Sequence, residues 1–308
     1  MASEDAKKIP RDIWMLWLQG FEQAHPLVQI CVQSWRQRNP GWRVHLLTKD
    51  TLVDYLDEEF CEELLASGLP LVKIANIVRL ALISRFGGVW ADADVYCARP
   101  LDGWIDDATS SGFFAFRFME ADAWFRDPSV PTLKRVSMRT TDRVIASWFL
   151  AGHPGNLIAS EFAFRHFELL KLAIASQKQS GRFLRRPILR LMRRNSYLSS
   201  MMGTHRFVTT FGWYPYFLFH YHFAHLIRND RDFGRAWSLG KPMSARAALT
   251  FSKFLGQPCD DAFQAAIRGE GSSPVYKFHW DKTEPLQPNT MTRFDWLVTG
   301  SEFLAEPE

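Results

Sequence analysis

Asp92 and Asp94 stand two positions apart in the segment FGGVWADADVYC, residues 86–97. Paired carboxylates are hard oxygen donors. That chemistry holds Mg²⁺ or Mn²⁺ against a phosphate-bearing substrate while part of the cation's shell stays water. The residues before them, Val89 to Ala91, are apolar and read as a short buried strand. Side chains at i and i+2 of an extended strand leave the same face, so both carboxylates are expected to aim at one point from the strand's rim. The pair Gly87-Gly88 marks the turn into that strand, where a positive φ costs glycine little. An Asp-x-Asp alone is also what a solvated loop contains, since about a quarter of residues in ordinary proteins are charged. The setting has to decide.

Strands and helices alternate through the first part of the chain. Residues 13–18 are apolar and lead to Gly20, a buried strand. Pro26 opens a helical pattern with Leu27, Ile30, Cys31, Ser34 and Trp35 inward, stopped by Asn39-Pro40-Gly41. Residues 43–47 read as a second strand, with Thr48 as the N-cap of the next helix. Ile74, Ile77, Val78, Ala81 and Leu82 repeat at helical spacing over 71–85, and Gly87-Gly88 ends that helix. This alternation implies an α/β sheet, whose ligands sit beyond the carboxyl ends of its strands. Asp92 and Asp94 fall there. Further strands are expected at 112–116 and 144–151 and a helix at 157–177. One α/β domain follows, with residues 1–155 building the sheet and 156–308 a largely helical second half.

At 308 residues, 47% hydrophobic and 14% aromatic, the chain can bury a sizeable core and is not of disordered composition. Its 37 Lys and Arg against 33 Asp and Glu are too evenly matched to point to nucleic acid, and no nucleic-acid motif accompanies them. Cys31, Cys61, Cys97 and Cys259 lie far apart and suggest neither a zinc site nor a disulfide framework. The start, MASEDAKKIP, is polar and carries no secretory signal. The aromatic stretch 213–227, broken by His220, His222 and His225, is too short to span a bilayer. A cytoplasmic, reducing setting is the expectation, with the protein soluble or peripheral on the inner face of the membrane.

Several separated blocks occur in the order found in one family: IPRDIWMLWLQG (9–20), SWRQRNPGW (34–42), IVRLALISRFGGVWADADV (77–95), IASWFLAGHPGN (145–156), YFLFHYHF (216–223) and VYKFHW (275–280). Over most of its length the chain resembles the capsular polysaccharide synthesis proteins of glycosyltransferase family 32. Its first hundred or so residues are more distantly similar to the catalytic domain of the large clostridial glucosylating toxins. The resemblance implies a GT-A fold, with a Rossmann-like nucleotide-sugar-binding sheet. It implies a metal-dependent, retaining hexosyltransferase that takes a UDP- or GDP-linked donor and extends a capsular or other cell-surface polysaccharide or glycolipid.

Roles follow from the resemblance one residue at a time. Asp94 is similar to the carboxylate bound directly to Mn²⁺ or Mg²⁺, and Asp92 to its partner on the ribose or on the metal through water. Arg79 matches an arginine that contacts donor sugar and phosphate, and Trp17 the aromatic residue stacked on the base. Ser147 and Trp148 are candidates for the sugar pocket. His279, ahead of His220 and His222, is the expected extra ligand to metal or diphosphate from the later half. Where relatives commonly carry Ser-Asp this chain has Ala75-Asn76. Asn76 still hydrogen-bonds a sugar hydroxyl but adds no charge, which leaves the sugar open. Each residue also has a plainer reading: a snorkelling helix arginine for Arg79, and a core tryptophan for Trp17, as for Trp14. Ser147 and Trp148 could be buried strand, and the histidines satisfied core or surface residues. No catalytic base emerges.

Residues 182–194 carry Leu184, Ile188, Leu191 and Met192 at helical spacing, with Arg186, Arg190, Arg193 and Arg194 crowding another side. This is the pattern of a membrane-surface helix drawn to anionic lipids, which would suit a lipid-linked glycan acceptor. It is equally the pattern of a basic helix packed on its own domain. Two rival functions stay open: a transferase that glycosylates a protein, and a sugar-nucleotide binder without turnover.

Overall fold

Strand β1 (Asp12–Leu16), buried along its whole length, pairs in parallel with β2 (Arg43–Leu47) on one side and β3 (Gly88–Ala91) on the other. Beyond β3 the sheet turns antiparallel through β6 (Ile145–Gly152) and then β5 (Phe113–Arg117), giving the order β2-β1-β3-β6-β5. A separate two-stranded ladder joins β4 (Val95–Cys97) to β7 (Val275–Lys277). The computed structural model describes residues 8–121, 129, 131–176, 182–285 and 290–299. Residues 1–7 of the polar start, Gln177 at the end of the expected helix, and the side chain of Leu184 lie outside the described ones. The expected α/β sheet with a helical second half is the architecture observed.

Local chemistry explains why the parallel half forms. Helix α1 (Pro26–Arg38) begins on a proline, with the His25 ring nitrogen accepting from Leu27 N–H at 3.2 Å. Its Trp35 donates from the indole to the Val95 carbonyl at 2.8 Å and so fixes β4 against the helix. Helix α2 (Glu58–Ala66) is capped by Asp57, which accepts from Phe60 N–H at 3.1 Å. Thr48, expected to cap it, instead accepts from Asp50 N–H at 3.2 Å in a local turn. The competition between turn and cap favoured the turn, because a hydroxyl can serve either.

Helix α3 (Leu71–Phe86) stops at Gly87 and Gly88, whose φ angles are 69° and 81°. A Cβ on Gly87 would fall 2.7 Å from the Gly152 carbonyl, and one on Gly88 2.4 Å from that of Asp12. The pair is therefore required twice over, by conformation and by close backbone approach. Trp14 locks the same corner by donating to the Gly87 carbonyl at 2.9 Å and stacking on His45 at 4.2 Å.

In the second half, helix Leu157–Ala175 packs on α3, and helix Leu218–Asn229 packs on β6. Phe162 meets Phe219 and Phe223 edge-on at 4.8 and 5.0 Å, the centre of this part of the core. Helix Arg182–Met192 uses Ile188, Leu189 and Met192 against the core, while Leu191 is 51% exposed. The expectation of an outward apolar stripe is thus corrected for Ile188 and Met192. Among the described residues no helix is long and apolar enough to cross a membrane.

Candidate active site

The two aspartates are not on a strand. β3 ends at Ala91, and Asp92 to Asp94 form a tight turn into β4, closed by Val95 N–H to the Asp92 carbonyl at 2.9 Å. The physical reason is that β3 belongs to the large sheet and β4 to the small one, so the chain must change direction between them. Convergence of the carboxylates comes from the turn rather than from strand alternation. The turn is held from both sides. Asp92 N–H donates to the Trp148 carbonyl, and Phe278 N–H to the Asp94 carbonyl, each at 2.9 Å.

Arg79 reaches this turn from α3 and is 2% exposed. Its Nε donates to the Ala75 carbonyl at 3.0 Å, Nη1 to the Ser147 carbonyl, and Nη2 lies 3.2 Å from Asp92 Oδ1. The guanidinium also lies 5.1 Å over the Trp90 ring, whose indole N–H donates to Asp92 Oδ1 at 2.9 Å. A snorkelling arginine would end in solvent, and this one does not.

Lys277, which sequence reasoning did not single out, completes the cluster. β7 pairs with β4 so that Lys277 stands opposite Val95. Its ammonium is ion-paired to Asp94 Oδ1 and lies 3.6 Å from Asp92 Oδ2. The available signal was its place two residues before His279 in the block 275–280, although β7 itself ends at Lys277.

Burial alone would raise the Asp92 carboxyl, but Arg79 and then Lys277 outweigh it and hold it below the usual carboxylate range. Burial raises Asp94, and the charge of Asp92 adds to this, with Lys277 offsetting only part. Burial would lower Lys277, yet Asp94 and Asp92 carry it above the ordinary lysine value, so it stays an ammonium ion.

One cavity of about 490 Å³ is lined by Trp17, Asn76, Arg79, Asp92, Asp94, Ser147, Trp148 and His279 together with Lys277. Every donor-site residue expected from the sequence is therefore gathered there. Trp17 follows the carboxyl end of β1, half-buried, with Trp280 edge-on at 6.0 Å. It differs in this from Trp14, which is core at 2% exposure. Trp148 belongs to β6, lines the cavity and also stacks on Phe116 at 5.0 Å.

The histidines divide. His220 lines the cavity and is fixed by a 2.9 Å bond from its Nδ1 to the Ile145 carbonyl. His222 is a core residue, with Nδ1 3.3 Å from that of His166, and the diphosphate role considered for it is withdrawn. It is buried beside that second imidazole and is not among the residues lining the cavity. His279 lines the cavity. Among the described residues, however, no third His, Cys, Asp or Glu joins the two aspartates in a metal-holding group. Two carboxylates are what Mg²⁺ or Mn²⁺ takes from a protein when substrate phosphate and water complete its shell. The donor set therefore fits a cation shared with a diphosphate and does not fit one held by protein alone.

An α/β sheet that gathers an acidic turn, two cationic side chains and a half-buried indole beyond its parallel strand ends has the layout of a phosphate-ligand site. The chain belongs to the capsular polysaccharide synthesis protein family, whose model matches residues 1–162. It is 27% identical over 196 residues to the O-glycosyltransferase braB of Annulohypoxylon truncatum, covering 58% of this chain and 41% of that one. It is 26% identical over 113 residues to the initiation-specific alpha-1,6-mannosyltransferase of Candida albicans, covering 34% of this chain and 29% of that one. The chain thus spans less than half the length of these relatives. Among solved structures, the PaToxG glycosyltransferase is similar over 91% of this chain and 87% of its own, at 10% identity and a TM-score of 0.34.

Proposed function

We propose that this chain is a metal-dependent, retaining glycosyltransferase of the GT-A kind. It moves a hexose from a UDP- or GDP-linked donor to a capsular or other cell-surface glycan or glycolipid. The observation that carries the reading is the convergence on one cavity of Trp17, Arg79, Asp92 and Asp94, to which the resemblance gives donor and metal roles, with Asn76 standing beside them where relatives commonly carry a carboxylate. Relatives named as glycosyltransferases support the reaction class.

The reaction breaks the bond between the anomeric carbon and a phosphate oxygen, and negative charge grows on the departing nucleoside diphosphate. Bound with that diphosphate, Mn²⁺ or Mg²⁺ supplies Lewis-acid neutralisation of the growing charge. Asp94 would hold the cation directly, with Asp92 on the ribose or on the cation through water. Arg79 is already fixed by two backbone carbonyls and an aspartate, so it presents its charge without reorganising as the bond breaks. Trp17 stacks on the base, its ring steadied by the edge of Trp280. Asn76, 6% exposed and one helical turn before Arg79, faces the hexose and hydrogen-bonds its hydroxyls. Retention rests on family membership and requires the acceptor to enter on the face the diphosphate leaves. We assign no side chain as base. A lipid-linked acceptor would place the protein against an anionic membrane surface, with Arg186 and Arg190 of helix Arg182–Met192 outward.

The test is a panel of UDP- and GDP-sugars incubated with purified protein, Mn²⁺ and short glycan acceptors. Diphosphate release is followed, and the anomer of any product is read by NMR. Release with one nucleotide series, lost in Asp94→Asn, is expected. No release from any donor, or release unchanged in Asp94→Asn, would refute the proposal.

A further inference from the structure

We propose that Lys277 is a displaceable counter-ion for the Asp92–Asp94 pair, making cation binding at this turn conditional on a nucleoside diphosphate. The inference rests on the reading that the cavity takes a nucleoside diphosphate, and it adds an order of assembly to that reading.

The charges are balanced as they stand. Arg79 lies 3.2 Å from Asp92, and Lys277 bridges Asp94 and Asp92. A divalent cation arriving alone must take the carboxylate oxygens that Lys277 holds. It would leave an ammonium group, 12% exposed, beside a new double positive charge with no anion to meet it. A diphosphate removes that obstacle. Its oxygens accept the ammonium, the aspartates turn to the cation, and the local charge returns near zero.

Of the two cationic side chains at the aspartate turn, Lys277 is the one built for this exchange. Arg79 is tied to the Ala75 and Ser147 carbonyls as well as to Asp92, and a planar guanidinium so held cannot change partner without losing those bonds. Lys277 is held at its tip by the two aspartates alone among the ion pairs and hydrogen bonds described, on a flexible four-carbon stem. Its backbone is secured by the β4–β7 ladder, so the side chain can turn while its anchor stays. By linkage, a diphosphate that raises cation affinity is itself bound more tightly with the cation present, by the same factor.

The experiment is a titration of the full chain by isothermal calorimetry and Mn²⁺ paramagnetic resonance, with no sugar and no turnover. Mn²⁺ alone, UDP or GDP alone in chelator, and the two together are measured for wild type, Lys277→Met and Lys277→Gln. Circular dichroism and thermal melting establish that the variants are folded, and two replacements are used so that one misfolded variant does not end the test. In wild type, Mn²⁺ should bind at least about tenfold more tightly with the diphosphate than without it. Removing the ammonium should tighten Mn²⁺ alone by about tenfold, weaken metal-free diphosphate, and shrink the coupling. Mn²⁺ affinity unchanged or lowered in the folded variants overturns the proposal. The Mn²⁺-only arm needs no nucleotide, so failure of UDP and GDP to bind any variant would count against the donor-site reading and not against the counter-ion role.

Discussion

Lys277 and Asp94 are joined by an ion pair between residues 183 positions apart, across a ladder that ties the last strand to the turn after β3. The side chains are 12% and 10% exposed, so the pair is shielded from solvent. Asp94→Ala therefore does two things. It removes a metal-side carboxylate, with turnover expected to fall at least about 100-fold. It also leaves the buried Lys277 ammonium with only Asp92, 3.6 Å away, at a cost below the roughly 3–5 kcal/mol of a fully unpaired buried charge. The double variant Asp94→Ala/Lys277→Met should recover most of the stability and none of the activity. Denaturant unfolding and diphosphate release, measured on the single and double variants, separate the two effects. A single variant as stable as wild type would show that the pair is not held in solution.

Trp17→Ala should weaken UDP or GDP binding by about 1–3 kcal/mol, the scale of base–aromatic stacking. Stacking acts on the base and is blind to the hexose, so the loss should be equal for every sugar on one nucleotide. Competition binding with two sugars on the same nucleotide checks this. A loss that differs strongly between them would move Trp17 to the sugar side of the cavity.

Asn76 lies on the same helical face as Arg79 and opens into the same cavity. Asn76→Asp adds a carboxylate acceptor where the amide could also donate, and it should reorder the preferred sugars more than it shifts affinity for the free diphosphate. Equal shifts on sugar nucleotide and diphosphate would place Asn76 away from the hexose.

The parts of this site that are local in sequence were legible. Residues 43–47 form the strand their pattern indicated, and α3 ends at the glycine pair as expected. Asn76 and Arg79 share a face because they are three residues apart on a helix. What was not legible depends on distant partners. The Asp92 turn arises because β3 and β4 join different sheets, and β4 pairs with a strand near the other end of the chain. Lys277 becomes a site residue only through that pairing. His222 sits in an aromatic histidine-rich run much like His220, yet His220 faces the cavity and His222 faces His166. The difference is set by what packs on each side of helix Leu218–Asn229.

Stability should fall on mild acidification. His166 and His220 are held well below the ordinary imidazole value and His222 is pushed down to about 3, each mainly by burial. A depressed imidazole takes its proton first in the unfolded chain, so unfolding absorbs protons once the pH drops below the unfolded value of about 6.5. The stability from these neutral side chains is full above that pH and lost as pH falls below it. Each group contributes up to about 1.4 kcal/mol per pH unit. Tm measured from pH 7.5 to 5 should decline, and His222→Gln should flatten part of the slope. A Tm independent of pH over that range would contradict the buried, neutral state of all three.

Helix Arg182–Met192 already spends Ile188, Leu189 and Met192 on the core, and turns Arg186, Arg190 and Leu191 outward. The three core-packed side chains are not free to enter lipid, so the attraction to be tested is the electrostatic one. Arg193 is also committed, since its Nε donates to Asp142 Oδ2 at 2.6 Å, and the same oxygen accepts from the Tyr221 hydroxyl at 2.6 Å. Replacing Arg193 would thus disturb the fold. Arg186, Arg190 and Arg194 are the ones to change, each worth about 1 kcal/mol at an anionic surface and screened over about 8–10 Å. Sedimentation with vesicles should show binding that rises with anionic lipid and is lost near 0.5 M salt, where the Debye length is only a few ångströms, on the order of 4 Å. The triple change to glutamine should abolish it, while turnover on a soluble acceptor persists because the donor cavity is built by other elements. Binding that survives high salt would point to an apolar anchor instead of the arginines. No binding to anionic vesicles even at low salt would leave the arginines as a solvated face.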